Sequence, residues 1–399
     1  MPKSRHALGK RDKSVKGQLL SEYDRSGTKV TFARNTVKVL PPSAAQSLDM
    51  PQYWNEKSTI GSNHAAIGFS DRQEIDPFDL DKGPPHTLRA ARQPRRTALP
   101  LLASAMKPAP FKYVAATSLE QALSLKAEYG DDASFLAGGQ SLIPAMNFRL
   151  AKPAVLIDIN RVGGLGRIRL KDDGCANVGA LARHRTLERD SAIVANFQLI
   201  AEALPHIAHP QIRNRGTLGG NLSHADPASE LPAIAVALGA RFRIQAMSSE
   251  RWCEARNFFV GALTTDLRAD EMLTEVELPL PRPRTGSCFM EIARRRGDFA
   301  IVGVAAMVTL RERERDECED LRLTLCGVGE TPIDASPTAA SLAGHALTED
   351  AICAIAASVH TMIEPSGSVH ATADYQRHIA GVLAARALRI AHQRARNVR

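Results

Sequence analysis

The sequence predicts an α+β protein, with an α/β-type domain carrying some parallel pairing over 106–282 and a smaller antiparallel domain over 283–392. Three observations predict it. From Met106 onward, short apolar runs alternate with stretches of helical periodicity. Pro279, Pro281 and Pro283 then interrupt the chain, and prolines at alternate positions end regular strand pairing. Beyond them two apolar strand patterns come first and three helical patterns follow, the order of a sheet with helices packed on it.

Phe111–Val114 reads as a short strand. A helix opens near Ser118, because Thr117 or Ser118 can cap it, Glu120 or Gln121 can complete a capping box, and apolar residues recur at helical spacing. Tyr129–Asp132 ends it. Ala133–Leu136 reads as a buried strand running into AGGQS (137–141), and 141–149 returns to a helical pattern. PAVLIDI (153–159) is a further buried strand, CANVGALA (175–182) a strand and turn, and 192–208 a helix. The first half of 209–238 reads as turn-like and polar, and a helix from Ser229 tolerates Pro232 in its first turn. Phe242–Gln245 and Leu273–Leu280 alternate like strands. In the smaller domain Ile301–Leu310 and Leu321–Cys326 read as antiparallel strands joined by a solvated charged run, RERERDECED (311–320). Helices are expected near 337–343, 348–362 and 372–392, followed by a basic tail, 393–399.

Residues 1–105 differ from all of this. They mix Lys, Arg, Ser, Pro and Asp without a sustained period and are expected to be poorly ordered. They hold 17 Lys/Arg against 10 Asp/Glu, so most of the net charge of +8 lies there and the body of the chain is close to neutral. A basic arm for nucleic acid or a partner is one reading of this segment. A misplaced start codon, with translation beginning at Met106, is the other. Aromatic residues are 5% of the chain, too few for a base-stacking surface, so no nucleic-acid partner is expected of the body. The six cysteines show no CxxC spacing and no neighbouring histidine, which points to reduced thiols rather than a metal or iron–sulfur site. The longest apolar runs, 231–240 and 301–310, are too short to span a bilayer, and no signal sequence opens the chain. A soluble cytoplasmic protein is expected, at most peripheral to the inner face of the membrane.

Two Gly-Gly pairs carry the chemistry. Close approach of backbone N–H groups to a phosphate needs residues without a Cβ. AGGQS follows a strand and precedes a helix, and Ser141 adds a hydroxyl. TLGGN (217–221) sets two glycines between Thr217 and Asn221. Either pair alone would read as a plain turn; two in one domain, each flanked by small polar residues, leave a phosphate site and ordinary turns equally open. The fingerprints of P-loop and Rossmann sites are absent, and GGLG (163–166) lacks their spacing, so it reads as a turn between strands. Around TLGGN, Arg213 and Arg215 either neutralise phosphate or lie in solvent. His224 and Asp226 form an acid–base or metal pair, or Asp226 caps a helix starting near Pro227. Glu230 accepts from ribose hydroxyls, or its charge favours the first helical turn.

AGGQSLIPAMNFRLAKPAVLIDIN (137–160) and IRNRGTLGGNLSHADPASELPA (212–233) resemble the two FAD-contacting motifs of the medium subunit of molybdenum hydroxylases, the aerobic-type carbon monoxide dehydrogenase group above all. ARRRGDFAIVGVAA (293–306) and ADYQRHIAGVLAARAL (373–388) resemble the start and last helix of that family's C-terminal domain. The resemblance covers about 106–390. It implies a two-lobed FAD-binding domain of the para-cresol methylhydroxylase type and a smaller carbon monoxide dehydrogenase flavoprotein C-terminal-like domain. Carried over by motif, the pyrophosphate contacts fall on Ala137, Gly138, Gly139, Gln140 and Ser141, and on Thr217, Leu218, Gly219, Gly220 and Asn221. Glu230 matches a carboxylate at the nucleotide part of FAD, and Met272 and Leu273 match backbone near the flavin ring. The resemblance further implies an oxidoreductase complex, a heterotrimer or a dimer of heterotrimers. A large subunit would hold the molybdenum cofactor and a small one the [2Fe–2S] clusters, and quinone, O2 or NAD would accept the electrons. No catalytic side chain and no metal ligand are expected in this chain. A stand-alone flavin oxidoreductase on the same fold is the alternative.

Overall fold

The computed structural model describes residues 21–23, 29–31, 107–311 and 316–397. The chain divides into two compact units, 1–92 and 93–399. In the first, β1 (Ser21–Tyr23) and β2 (Lys29–Thr31) pair antiparallel, with Ser21 opposite Thr31. The rest of the basic segment lies outside the described residues.

The second unit opens with a parallel sheet. Strands β3 (Lys112–Ala115), β4 (Ala133–Leu136) and β5 (Val155–Asp158) lie in the order β3-β5-β4, so Val155 faces both Lys112 and Ala133. Helix α1 (Leu119–Tyr129) makes the β3–β4 crossover. Ser118 Oγ caps it, accepting from Gln121 N at 3.1 Å, and Gln121 Oε1 accepts from Thr117 N at 2.8 Å. The reciprocal bond of the capping box therefore falls one residue before the cap. Helix α2 (Leu142–Asn147) links β4 to β5.

A second lobe is built on an antiparallel sheet. Its order is β6 (Ile168–Leu170), β7 (Cys175–Gly179), β12 (Met272–Pro279), β8 (Arg241–Gln245), β9 (Glu250–Glu254). Six helices lie between β7 and β8: α3 (His184–Arg189), α4 (Ser191–Asn196), α5 (Gln198–Ala203), α6 (Pro210–Arg213), α7 (Leu218–His224) and α8 (Glu230–Leu238). The single helix expected over 192–208 is two, because Phe197 leaves the helical region, with φ −124° and ψ 71°, and buries its ring in the core. A short helix, α9 (Ala255–Phe258), and the hairpin β10 (Phe259–Gly261) and β11 (Thr264–Thr265) complete the lobe.

The third sheet has the order β13 (Thr285–Ala293), β14 (Ala300–Leu310), β15 (Cys318–Cys326), β16 (Ile333–Asp334), all antiparallel. Its central strand is apolar almost throughout because both faces are covered. Val302, Val304, Ala306 and Val308 face the core made with α10 (Glu349–Met362) and α11 (Ala373–Asn397). Ala305 and Met307 face the core of the second lobe. Helix α11 runs on through the expected tail to Asn397, since Ala395 is buried and Arg394 hydrogen-bonds to the Ser287 carbonyl. Within the charged run, 312–315 lies outside the described residues, and Cys318–Asp320 already belongs to β15.

Gly286 lets α11 approach β13: a methyl there would lie 2.1 Å from Ala391 O and 2.3 Å from Ala395 N. Both obstacles are backbone atoms of a helix and cannot rotate away. Gly286→Ala is expected to destabilise the chain by ~1–3 kcal/mol, read from the denaturant midpoint. An unchanged midpoint contradicts this packing.

Candidate functional site

The first glycine segment leaves β4 at Leu136 and enters α2 at Leu142. Gly139 turns it with φ 71°, a conformation that L side chains rarely adopt. Among the described residues the backbone amides of Gly139, Gln140 and Ser141 have no hydrogen-bond partner. Gln140 folds back, its Nε2 donating to Gly138 O at 3.0 Å, and Ser141 is exposed. This wall is a row of unengaged N–H donors.

The second segment is not a loop. Thr217 caps α7, accepting from Gly220 N at 3.1 Å, and Leu218, Gly219, Gly220 and Asn221 form the first turn of that helix. The turn-like composition misleads because Gly219 answers a packing demand, and Gly220 makes room for the cap hydroxyl of Thr217, rather than either one bending the chain. A methyl on Gly219 would lie 2.5 Å from Ala180 Cβ. The amides are also engaged: Leu218 N donates to Ala182 O, Gly219 N to Ala180 O and Asn221 N to Thr217 O. What this wall offers is the exposed, Cβ-free surface of Gly220 and the Asn221 side chain. Asn221 Oδ1 accepts from Ser229 Oγ at 2.9 Å, and its Nδ2 has no partner among the described residues.

The two walls touch. A methyl on Gly138 would lie 2.4 Å from Arg215 O and 2.9 Å from Gly216 Cα. One on Gly220 would lie 3.8 Å from Ala137 Cβ. Free amides beside a helical turn whose exposed residue, Gly220, lacks a Cβ fit the pyrophosphate of a dinucleotide.

Comparisons with known proteins agree. Residues 109–281 match the model of the FAD binding domain in molybdopterin dehydrogenase, and 287–391 match the CO dehydrogenase flavoprotein C-terminal domain. The 6-hydroxypseudooxynicotine dehydrogenase complex subunit alpha of Paenarthrobacter nicotinovorans is 41% identical over 73% of this chain and 97% of its own length. The chain belongs to the flavoprotein family of molybdopterin dehydrogenases. Caffeine dehydrogenase subunit beta of Pseudomonas sp. (strain CBB1) is 38% identical over 71% of this chain and 95% of its own. A solved carbon monoxide dehydrogenase from Hydrogenophaga pseudoflava matches with TM-score 0.70 and 35% identity, over 72% of this chain and 99% of that one. FAD is the cofactor, and the chain is a flavoprotein subunit of a dehydrogenase type. No helix among the described residues is long and apolar enough to cross a membrane.

The two walls are held by residues to which the glycine motifs assign no role. Asn160 Nδ2 donates to Ala137 O at 2.9 Å and to Leu136 O at 3.2 Å. Asp158 orients it, accepting from Asn160 N at 2.8 Å and from Tyr113 OH at 2.6 Å. Burial raises the Asp158 carboxyl, but the bonds from Tyr113 and Asn160 outweigh it and hold the group below its ordinary value. On the other side His184 N donates to Gly216 O at 3.0 Å, and His184 Nε2 lies 3.0 Å from Thr217 O. The sequence signal for Asn160 is its place just past the end of β5. The AlaArgHisArg stretch at 182–185 carries none.

The other expected residues are more dispersed. Arg213 is buried, its Nη1 donating to Ile207 O and Ala208 O and its Nε to Glu188, so it neither meets phosphate nor lies in solvent. Arg215 is exposed, with its carbonyl against Gly138. Asp226 caps only a turn, accepting from Ala228 N at 2.9 Å, and the helix starts at Glu230 with Ser229 at its N-cap. Glu230 is buried, and burial together with the neighbouring Glu291 carboxylate raises its carboxyl well above the ordinary range. A group that resists ionisation does not favour a helix start by its charge. Leu273 and Met272 point into two different cores, and β7 pairs with β12 only from Glu275 onward.

Burial lowers the His184 imidazole from 6.5 to about 4. Between those values the unfolded chain holds a proton that the folded chain refuses, so stability falls as pH drops through this window. His184→Gln is expected to flatten the stability-versus-pH curve between pH 6.5 and 4. A slope equal to that of the unaltered chain contradicts the assignment.

Proposed function

We propose that this chain is the electron-transfer subunit of a molybdenum hydroxylase complex. It takes electrons from the [2Fe–2S] clusters of a small subunit and delivers them to an external acceptor such as quinone, O2 or NAD. Substrate is oxidised at molybdenum in a large subunit. One observation carries the reading: the first glycine segment lies so close to Arg215 and Gly216, the residues that lead into the second, that a Cβ at Gly138 would push the two apart.

In this proposal the amides of Gly139, Gln140 and Ser141 bind one side of the FAD pyrophosphate. Gly220 leaves room for the other side, and Asn221 Nδ2 donates to it. Ala137, Gly138, Thr217, Leu218 and Gly219 shape the two walls, Glu230 lies toward the nucleotide, and the Leu273 backbone borders the flavin ring. FAD supplies the redox chemistry when bound. The chain's own residues bind it, orient it and exclude water around it. FAD binding is assigned to 106–282, with 283–392 packed as the smaller domain. Relatives named for 6-hydroxypseudooxynicotine and caffeine support a nitrogen heterocycle as the substrate of the complex.

The purified chain is expected to be yellow and to release FAD on denaturation. Gly139→Val, which places a branched side chain at φ 71° against Leu136 and Ile143, and Gly220→Val, whose Cβ would lie 2.6 Å from the Thr217 hydroxyl, should each abolish flavin retention, with the melting temperature of the flavin-free variant separating loss of the site from loss of the fold. Gly219→Val is the less informative variant because it strikes Ala180 in the core. Colourless protein that takes up no added FAD overturns the proposal. Purification through a tag on this chain should also bring down molybdenum and iron, and isolation of a monomer active alone on a substrate would favour the stand-alone alternative.

A further inference from the structure

Arg183 joins the two walls of the site. Its Nη2 donates to Asn160 Oδ1 at 2.6 Å. Asn160 in turn donates to Ala137 O of the first segment. The other arm of the guanidinium, Nη1, donates to Arg215 O, the carbonyl against which Gly138 packs. The Arg183 backbone forms an isolated antiparallel bridge with Thr217, the cap of α7. One residue therefore grips the second segment by backbone and side chain and reaches the first through a single amide. A planar guanidinium fixes the angle between its two bonds, which an ammonium cannot do. Its charge also stands behind the walls, where a dianionic pyrophosphate would gain from it.

We propose that Arg183 is the positioning residue of the flavin site and a determinant of its preference for dinucleotides, holding the two walls at the spacing that a pyrophosphate spans. A single phosphate, as in FMN, engages one wall and does not depend on that spacing. The inference rests on the placement of the pyrophosphate proposed above. It adds a function for a side chain that does not itself line either glycine segment. Binding energy is gained here by pre-organisation, because the segments are held in place before the ligand arrives.

The test uses the full chain stripped of flavin, titrated with FAD and separately with FMN, with the melting temperature of the flavin-free protein as control. Arg183→Met is expected to weaken FAD binding about tenfold or more, and FMN binding by less than about twofold. Arg183→Lys, which keeps the charge and loses the fork, should resemble Arg183→Met rather than the unaltered chain. Asn160→Ala should reproduce the loss. The double variant should be little worse than either single one, because both remove the same link. Unchanged FAD affinity in Arg183→Met and Asn160→Ala overturns the inference. Equal losses for FAD and FMN overturn it too, since they would mark general damage to the fold. Failure of the unaltered chain to bind FAD is a different outcome and removes the pyrophosphate placement itself.

Discussion

A missing Cβ at Gly138 lets two distant stretches of backbone come into contact, and the rest of the site follows from that contact. The Arg215 carbonyl and Gly216 Cα occupy the space a side chain would need. Around this point the parallel lobe and the antiparallel lobe are tied together. Gly216 is itself held between the His184 ring and the Ile212 carbonyl, where a methyl would lie 3.1 and 3.2 Å from them. Gly219 presses α7 onto Ala180, whose amide donates to Thr274 O in β12. A chain of close approaches thus runs from β4 through both glycine segments into the central strand of the second sheet.

The smaller domain contributes to the same arrangement from behind. Helix α8 begins one residue after Ser229, which hydrogen-bonds Asn221, and continues across the third sheet, where Thr324 Oγ1 donates to Ala233 O. Gly327 N donates to Pro227 O and Gln376 Nε2 to Gly327 O. Glu230 and Glu291 lie buried together on this face, with His206 3.0 Å from Glu291. Burial and the neighbouring Glu291 carboxylate disfavour a negative charge on Glu230. The position matched to a nucleotide contact is therefore also part of the junction between domains.

Much of the fold was legible in the residues because burial writes itself into periodicity. AlaSerPheLeu, ValLeuIleAsp and the run through β14 are apolar in proportion to how many of their faces are covered. The pairing order β3-β5-β4 and the split between two sheets in the FAD-binding region were not legible, since long-range pairing leaves no local pattern. Helix boundaries were misread where composition and packing diverge. Thr217–Asn221 has the residues of a turn, yet Gly219 is there so that a helix can lie close to Ala180, and Gly220 leaves room for the Thr217 cap hydroxyl. For the site, the glycine pairs identified the two walls. Their supports, Asn160, Arg183 and His184, belong to no spacing rule, because a hydrogen bond across the fold depends on three-dimensional placement alone. The assignment of charged residues by sequence neighbourhood failed at Arg213 for the same reason: two residues before Arg215, it turns inward to Glu188 and two carbonyls.

The most direct measurement of the central claim is the crystal structure of the FAD-loaded chain. Pyrophosphate oxygens are expected within hydrogen-bond distance, roughly 2.7–3.2 Å, of the Gly139, Gln140 and Ser141 amides. The same pyrophosphate should lie against Gly220, with Asn221 Nδ2 as a donor. A pyrophosphate bound away from either glycine segment, or one that reaches a single wall while the other faces solvent, would contradict it.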